Sequence, residues 1–428
     1  MSNKKLFANA SWIMVGRVFQ LVLTFVTTML TARYLGPSEN GKLVYVFSYV
    51  QFFLPLCTLG LNDIIVKELV DNRDKNDEIL GTMIVIRSIV SLISMISSIV
   101  LVGLLNSEPI YRAIASLQSL SLLFQSFDCI MYFYQSRLLS RKSGTAYALA
   151  YILASFFRIY AILSKKGILW FAFANSLDYI MVALLLCIVY FKDKNSLKCS
   201  LTMAKTLLSK SYHYILAGLM VVIYGKVTDI LLLGKMINET MVGYYSAGTT
   251  LCNAWPFVLT AIIDSFSPVI IDSFKTNKEV FYTKLKQLYA MIFYISVVVA
   301  IGITLLSDLA ISIVYGAEYA PAALPMKIYA WSTAFSYLGV SRTIWMQCNN
   351  KTRYEVHIAF YGAITSIVLN FLLIRSFGII GAAIAAVLTQ LLTNFIFLFT
   401  MKETRENAKL ILDAILLKGV LNRGESNV

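Results

Sequence analysis

Apolar residues run along most of this chain in blocks of about twenty, parted by short polar stretches, a pattern too continuous for the core of a soluble domain. Hydrocarbon about 30 Å thick needs roughly 20 helical residues, because lipid offers no partner to an unpaired backbone amide or carbonyl. The pattern predicts twelve spans: 11 to 34, 43 to 65, 79 to 105, 112 to 136, 144 to 164, 168 to 191, 211 to 234, 242 to 271, 286 to 307, 323 to 348, 354 to 374 and 378 to 401. The fold class expected is an all-α integral membrane protein. Lys4 and Lys5 precede a first block that is too long for a signal sequence and lacks a small-residue cleavage site, so it is expected to remain as the first helix.

Composition strengthens this reading. Hydrophobic residues make up 58% and charged residues only 14%, against about 25% charged in an ordinary soluble domain. With the N-terminus in the cytoplasm, most of the 37 Lys and Arg fall on inner loops and tails, including Arg137, Arg141, Lys142 and the run from Lys192 to Lys210. That asymmetry predicts a topology with both termini cytoplasmic. The net charge of +14 is then a sorting signal and a contact with membrane lipid head groups. Nucleic acid is not an expected partner, since the aromatic residues belong to spans and not to basic loops.

Several chemistries drop out. The outer loops are short, the longest running from about 307 to 322, which leaves no room for the catalytic loops of a membrane glycosyltransferase or polysaccharide polymerase. No enzyme activity and no catalytic residue is expected. There is no Walker motif to bind ATP. The six cysteines lie singly, and His213 and His357 sit at helix ends, so neither a metal site nor a cofactor is expected.

The lysine-rich stretch 192 to 210 divides the chain into halves that echo each other. ARYLGPSENGKLVYVFSY at 32 to 49 matches ILLLGKMINETMVGYYSA at 230 to 247 in its Leu-Gly and following Gly and Tyr; Gln135 corresponds to Gln347, and Gly167 to Gly378. Six spans per half make the repeats parallel, related by an axis along the membrane normal, with a substrate path between them. The expected domains are an N-terminal lobe 1–191, a basic cytoplasmic linker 192–210, a C-terminal lobe 211–401 and a cytoplasmic tail 402–428. Within the tail, Leu410, Ile411, Ala414, Ile415 and Leu417 suit either a short amphipathic helix on the inner surface or a frayed end.

Charges deep inside spans carry the functional signal. An ionised group at mid-membrane costs about 2.5–3.5 kcal/mol on insertion scales, so several in one chain imply a shared polar interior. The basic residues within spans are Arg17, Arg87, Arg158, Lys226, Lys327 and Arg342; the acidic ones of interest are Asp128, Asp178, Asp229 and Asp264. Arg17, Gln20, Thr24, Thr27, Thr28 and Thr31 share one face of the first helix, while Asn253 and Asp264 lie on a polar stripe of the eighth. Tyr147, Tyr151 and Arg158 share a face of the fifth helix, and Trp331, Phe335, Arg342 and Trp345 share one of the tenth. Rings that stack on sugars beside a guanidinium that grips phosphate suit a phosphorylated glycan. Head-group contacts are therefore expected at Arg17, Arg87, Arg158, Arg342, Lys226, Gln20, Thr24, Asn253 and Tyr151. Trp345 is open between stacking and membrane anchoring, and the four aspartates between ion coupling and structural counterions, with Lys226 and Asp229 three residues apart as one such pair.

ARYLGPSENG at 32 to 41, GLNDIIVKE at 60 to 68, YGAEYAPAALPMKI at 315 to 328 and GIIGAAIAAVLTQLL at 378 to 392 together resemble the polysaccharide and O-antigen flippases, of the superfamily that also holds multidrug antiporters and the lipid II flippase. Lys67 stands where members often carry Arg. The resemblance implies twelve transmembrane helices in two pseudo-symmetric six-helix lobes around a central cavity. It implies as cargo an undecaprenyl-pyrophosphate-linked oligosaccharide, with H+ or Na+ as coupling ion and polysaccharide polymerase and chain-length machinery as partners. A cation-coupled multidrug exporter of the same fold is the alternative, which the basic residues within the spans disfavour.

Overall fold

The computed structural model describes the backbone of residues 3–420, with side chains for residue 16 and from 18 onward apart from 63, 64, 210, 212–214, 217 and 226. Among the described residues the secondary structure is entirely helical. The chain divides into two compact units, residues 1–222 and 223–428. The first holds α1 (Asn3–Phe52), α2 (Leu54–Thr58), α3 (Asn62–Asp71), α4 (Asn76–Leu105), α5 (Pro109–Gln118), α6 (Leu120–Gln125), α7 (Cys129–Ser136), α8 (Ser140–Leu163), α9 (Ile168–Lys192) and α10 (Leu201–Tyr224), the last reaching just past the division. The second holds α11 (Lys226–Met236), α12 (Glu239–Cys252), α13 (Phe257–Thr276), α14 (Lys278–Val314), α15 (Ala323–Tyr329), α16 (Ser332–Cys348), α17 (Arg353–Leu391), α18 (Phe397–Thr400) and α19 (Arg405–Ile415).

Eight helical stretches among the described residues are long and apolar enough to cross a membrane. Their burial runs opposite to that of a soluble helix. On α4, Arg87, Ser91, Ser94 and Ser98 are buried while Ile89, Leu92, Ile93, Ile96 and Val100 face outward. Lipid is the solvent for such a surface, and this is a multi-pass membrane protein. Since apolar surface gains little by leaving lipid for protein, close packing has to hold the helices together. Small residues supply it: Ala150, Ala154 and Ala161 are buried on α8, and Ala382, Ala383, Ala385 and Ala386 on α17.

Glycines and a proline decide where these helices bend. Gly36, at φ 72 and ψ 172, kinks α1 between the predicted first and second spans, and Gly378, at φ 58 and ψ −133, kinks α17 between the predicted eleventh and twelfth. These are backbone angles that side-chain-bearing residues avoid. Across the second kink Gly381 lies so close to the Leu373 carbonyl that a Cβ would overlap it.

Several predicted spans are discontinuous. The seventh, 211 to 234, breaks at extended Gly225, and the Thr228 hydroxyl donates to the Ile223 carbonyl exposed by the break. The eighth, 242 to 271, breaks between Cys252 and Phe257, where Pro256 supplies no amide to the helix behind it. The tenth, 323 to 348, tightens into a turn at Ala330 and Trp331, whose near-helical angles keep the chain advancing.

The basic stretch 192 to 210 packs into the first unit. Ser196 Oγ donates to Asp77 Oδ2 at 2.5 Å, the Lys198 amide to the Asp77 carbonyl at 3.0 Å, and Leu207 is buried in the core that contains Leu69, Ile79 and Phe133. In the second unit α19 packs against α14 through a core of Phe281, Leu285, Tyr289, Trp345 and Ile411, and Asn407 Nδ2 donates to Tyr289 Oη at 2.7 Å. Of the apolar tail residues expected on a membrane-surface helix or a frayed end, Leu410, Ile411 and Ala414 are thus buried in protein, while Leu417 is exposed.

Candidate functional site

Arg87, Arg158, Asp178 and Asp128 of the first unit are met by three different devices. Arg87 is fully buried on α4. Its Nε donates to the Cys57 carbonyl at 3.2 Å and its Nη2 to the Gln125 carbonyl at 3.3 Å, with the Asn62 side chain 3.5 Å from Nη1. Cys57 lies in the last turn of α2, and Gln125 ends α6 where the chain passes into a tighter helical turn over Ser126–Asp128. The guanidinium is therefore held by backbone carbonyls, one of them in the last turn of α2, where the helix dipole favours a cation.

Arg158 uses a carboxylate instead. Its Nη1 and Nη2 donate to Asp178 Oδ1 and Oδ2 at 2.9 and 2.7 Å, and Nη2 also reaches the Ala174 carbonyl at 3.1 Å. Of the two expected roles of Asp178, the counterion is the one realised in this geometry. Asp128 is met by neutral donors: Tyr147 Oη at 2.7 Å and Gln125 Nε2 at 3.0 Å. One turn along α8 from Tyr147, the Tyr151 hydroxyl accepts from Gln20 Nε2 at 2.7 Å, and the two tyrosine rings stack with centroids 6.4 Å apart. The predicted stripe on the first helix thereby meets the predicted stripe on the fifth. Along it, Thr27 and Thr31 bond back to the carbonyls of Leu23 and Thr27, and the Thr24 hydroxyl is buried without a partner among the described residues.

In the second unit Arg342 is buried and grips Glu355 in the same two-pronged way, Nε to Oε1 at 3.2 Å and Nη2 to Oε2 at 2.8 Å, with Asn394 3.5 Å from Nη1. Trp345, one turn on, neither stacks outward nor anchors at an interface. It is fully buried in the unit's core, with Lys351 Nζ 4.6 Å from its ring centroid, because its face of α16 turns toward α14.

Asp229 forms the polar centre of this unit. It is buried, Oδ2 accepts from Tyr245 Oη at 2.7 Å, and Oδ1 accepts from Asn370 Nδ2 at 2.8 Å. A cavity of about 50 Å³ opens beside it, lined also by Asn253, Tyr329, Ser332, Ser336 and Gln390. That is room for a few waters or a small hydrated cation. Two predicted residues, Asp229 and Asn253, thus share one cavity, where Asn253 lies 3.4 Å from Tyr329 Oη. Asn370 Oδ1 and Thr389 Oγ1 are buried without partners among the described residues.

Asp264 stands exposed on α13. Lys327 pairs with Asp308 at 2.6 Å. The side chains of Arg17 and Lys226 lie outside the described residues, and with them the expected Lys226–Asp229 pair. No cluster of three or more His, Cys, Asp or Glu suited to a metal ion occurs among the described residues.

Sequence reasoning missed Glu355, Tyr245 and Asn370. Glu355 sat at the start of the predicted eleventh span and gave no sign of reaching back to the tenth. Asn370 did carry a signal, as a lone amide in the apolar run from Ile364 to Ile374.

Residues 6–274 match the family model described as polysaccharide biosynthesis protein. The chain belongs to that family. Among solved structures this polysaccharide biosynthesis protein is similar to the lipid II flippase MurJ in its inward closed conformation, with TM-score 0.75 and 15% identity over 95% of this chain and 91% of the other. It is also similar to an inward-facing multidrug resistance MATE family transporter of the MOP superfamily, with TM-score 0.69 and 14% identity over 92% and 96% of the two chains. A MOP superfamily transporter from Pyrococcus furiosus matches with TM-score 0.65 and 12% identity over 96% of each. At these identities the likeness shows the fold. None of the curated proteins matches the sequence.

Proposed function

We propose that this polysaccharide biosynthesis protein flips a polyprenyl-pyrophosphate-linked oligosaccharide, an O-antigen or capsule repeat unit, from the cytoplasmic to the outer face of the bacterial plasma membrane by alternating access. The observation that carries the reading is its family, joined to the likeness of its fold to a flippase of lipid II. On this reading it is a transporter and not an enzyme, with twelve spans in two six-helix lobes, 1–191 and 211–401, and cytoplasmic termini. Polymerase and chain-length machinery would receive the cargo outside.

On this reading the candidate residues divide by task. Arg158 and Arg342 are fastened to carboxylates and Arg87 to backbone carbonyls, and their proposed task is to hold the interior together. Gln20, Tyr151 and Asn253, with Arg17 and Lys226, are the groups proposed to meet the head group. Asp229, beside its small polar cavity, is proposed to take the coupling H+ or Na+, and Asp128, bonded only to neutral side chains, is the second candidate. An inside-negative potential assists outward movement of an anionic cargo by about 2.3 kcal/mol per charge per 100 mV.

The acidic cavity around Asp229 also favours one alternative, a cation-coupled multidrug exporter of the same fold. One experiment separates them. Strains lacking their own flippase, each making a defined lipid-linked glycan, are complemented with this gene. Restored surface polysaccharide with at least one glycan is expected. Failure with every glycan at normal membrane abundance, together with raised drug tolerance, would establish the exporter.

A further inference from the structure

We propose that a cavity at the shared end of α4 and α7 binds the phosphate of a lipid head group. It measures about 540 Å³ and is lined by Leu69, Arg73, Asn76, Ser136, Arg137 and Leu138. Two membrane-crossing stretches stop there, one beginning at Arg73 and the other ending at Ser136. Both guanidinium groups therefore sit at the depth where hydrocarbon gives way to head groups. They come from different connectors, Arg73 after α3 and Arg137 after α7, so the fold and not a local run of charge brings them together.

Arg137 lies over the Phe133 ring, 4.1 Å from its centroid. Held by its face, the planar group keeps its N–H edge for a ligand. Neither arginine makes an ion pair with a described residue. Of the acids on the Arg73 connector, Asp71 and Asp74 are exposed, and Asp77 is held by Ser196. The walls are also fixed. With its amide turned to donate to Leu69 O at 3.0 Å and Asn72 O at 3.2 Å, Asn76 closes the turn from α3 to α4. Leu138 is held at φ 56, where a leucine pays a steric penalty that glycine would escape.

The ligand is a lipid because the cavity lies at the membrane boundary and offers Leu69 and Leu138 to carbon as well as arginines to phosphate. Its volume exceeds the need of one phosphate and suits a glycerophosphate, or a pyrophosphate with its first carbons. An anionic phospholipid and a polyprenyl pyrophosphate share this chemistry. The site stands without the cargo reading above, since bulk phospholipid would fill it equally.

The test uses the purified full-length protein, delipidated in detergent and titrated in native mass spectrometry with phosphatidic acid, phosphatidylethanolamine and undecaprenyl pyrophosphate. Arg73→Gln/Arg137→Gln is expected to weaken binding of both anionic lipids roughly a hundredfold, about tenfold per guanidinium. Arg73→Lys/Arg137→Lys should lose less, and Lys192→Gln, at the end of another membrane-crossing stretch, nothing. Both arginines are exposed, so an unchanged melting temperature is expected to accompany the loss. Tighter binding of the pyrophosphate than of phosphatidic acid would sustain the site and mark it for cargo; equal binding would sustain it and mark it for bulk lipid. Unchanged binding in the double glutamine variant, an equal loss in Lys192→Gln, or displacement of lipid by micromolar inorganic pyrophosphate would overturn the proposal.

Discussion

Arg158 and Asp178 meet in two parallel hydrogen bonds of 2.9 and 2.7 Å, and both side chains are buried. Neither charge is then available to a ligand without uncovering the other, so removing one should act first on folding. Arg158→Gln or Asp178→Asn is expected to destabilise the protein by about 3–5 kcal/mol, because it strands a buried polar or charged partner. Replacing both with apolar residues of similar volume should return most of that loss. Melting temperatures of the three variants in detergent check this. A double variant as unstable as either single one would refute it.

Among the described residues Asp229 accepts from two neutral donors, Tyr245 and Asn370. Asp229→Asn keeps an acceptor oxygen for one of them and removes only the charge. Membrane abundance is expected to stay near wild type while the dependence of transport on an imposed proton or sodium gradient disappears. Transport that still tracks the gradient would remove Asp229 from coupling.

At the end of α9, Asp193 accepts Lys142 Nζ on both oxygens, at 2.6 and 2.7 Å, and Tyr134 Oη at 2.8 Å. The bonds from Lys142, and then that from Tyr134, hold its carboxyl below the ordinary value of 3.8. A depressed value in the folded state means that the stabilisation is complete above 3.8 and is lost as pH falls through the lower native value. The melting-temperature difference between wild type and Asp193→Asn should therefore be constant near neutrality and shrink below about pH 4. A difference that grew on acidification would contradict the assignment.

The kink in α17 requires two glycines for separate reasons. Gly378→Ala forces a Cβ into a backbone conformation that costs of order 1–3 kcal/mol, and Gly381→Ala drives one into the Leu373 carbonyl. Each is expected to lower the melting temperature, and the pair by less than the sum, since straightening the kink relieves both. Additive losses would show that the two constraints are independent.

These positions also show what the sequence made legible. The runs LGP at 35 to 37 and GIIG at 378 to 381 stood out as family-like, and both contain a glycine on which a helix turns. Span-length apolar runs and the polar stripes were equally readable, because both are local and periodic. The breaks at Gly225 and before Phe257 were not, since hydropathy averages over them. Partners were the least readable. Gln20 and Tyr151 are 131 residues apart, and Asp229 and Asn370 are 141 apart, so only the folded packing brings them together. The charged face of the tenth helix looked like a place for phosphate because Glu355, which neutralises Arg342, lay beyond the helix being read.

With 37 residues, α14 is about 55 Å long, while hydrocarbon occupies only about 30 Å of that. The surplus is where α19 docks, through Asn407 on Tyr289, Glu406 on Tyr282 and the Ile415 carbonyl on Tyr294. Any tilt of this rod within the bilayer must swing the docked helix in water through a proportionate arc. A fluorophore on exposed Leu412 would make that otherwise hidden movement visible from outside the lipid.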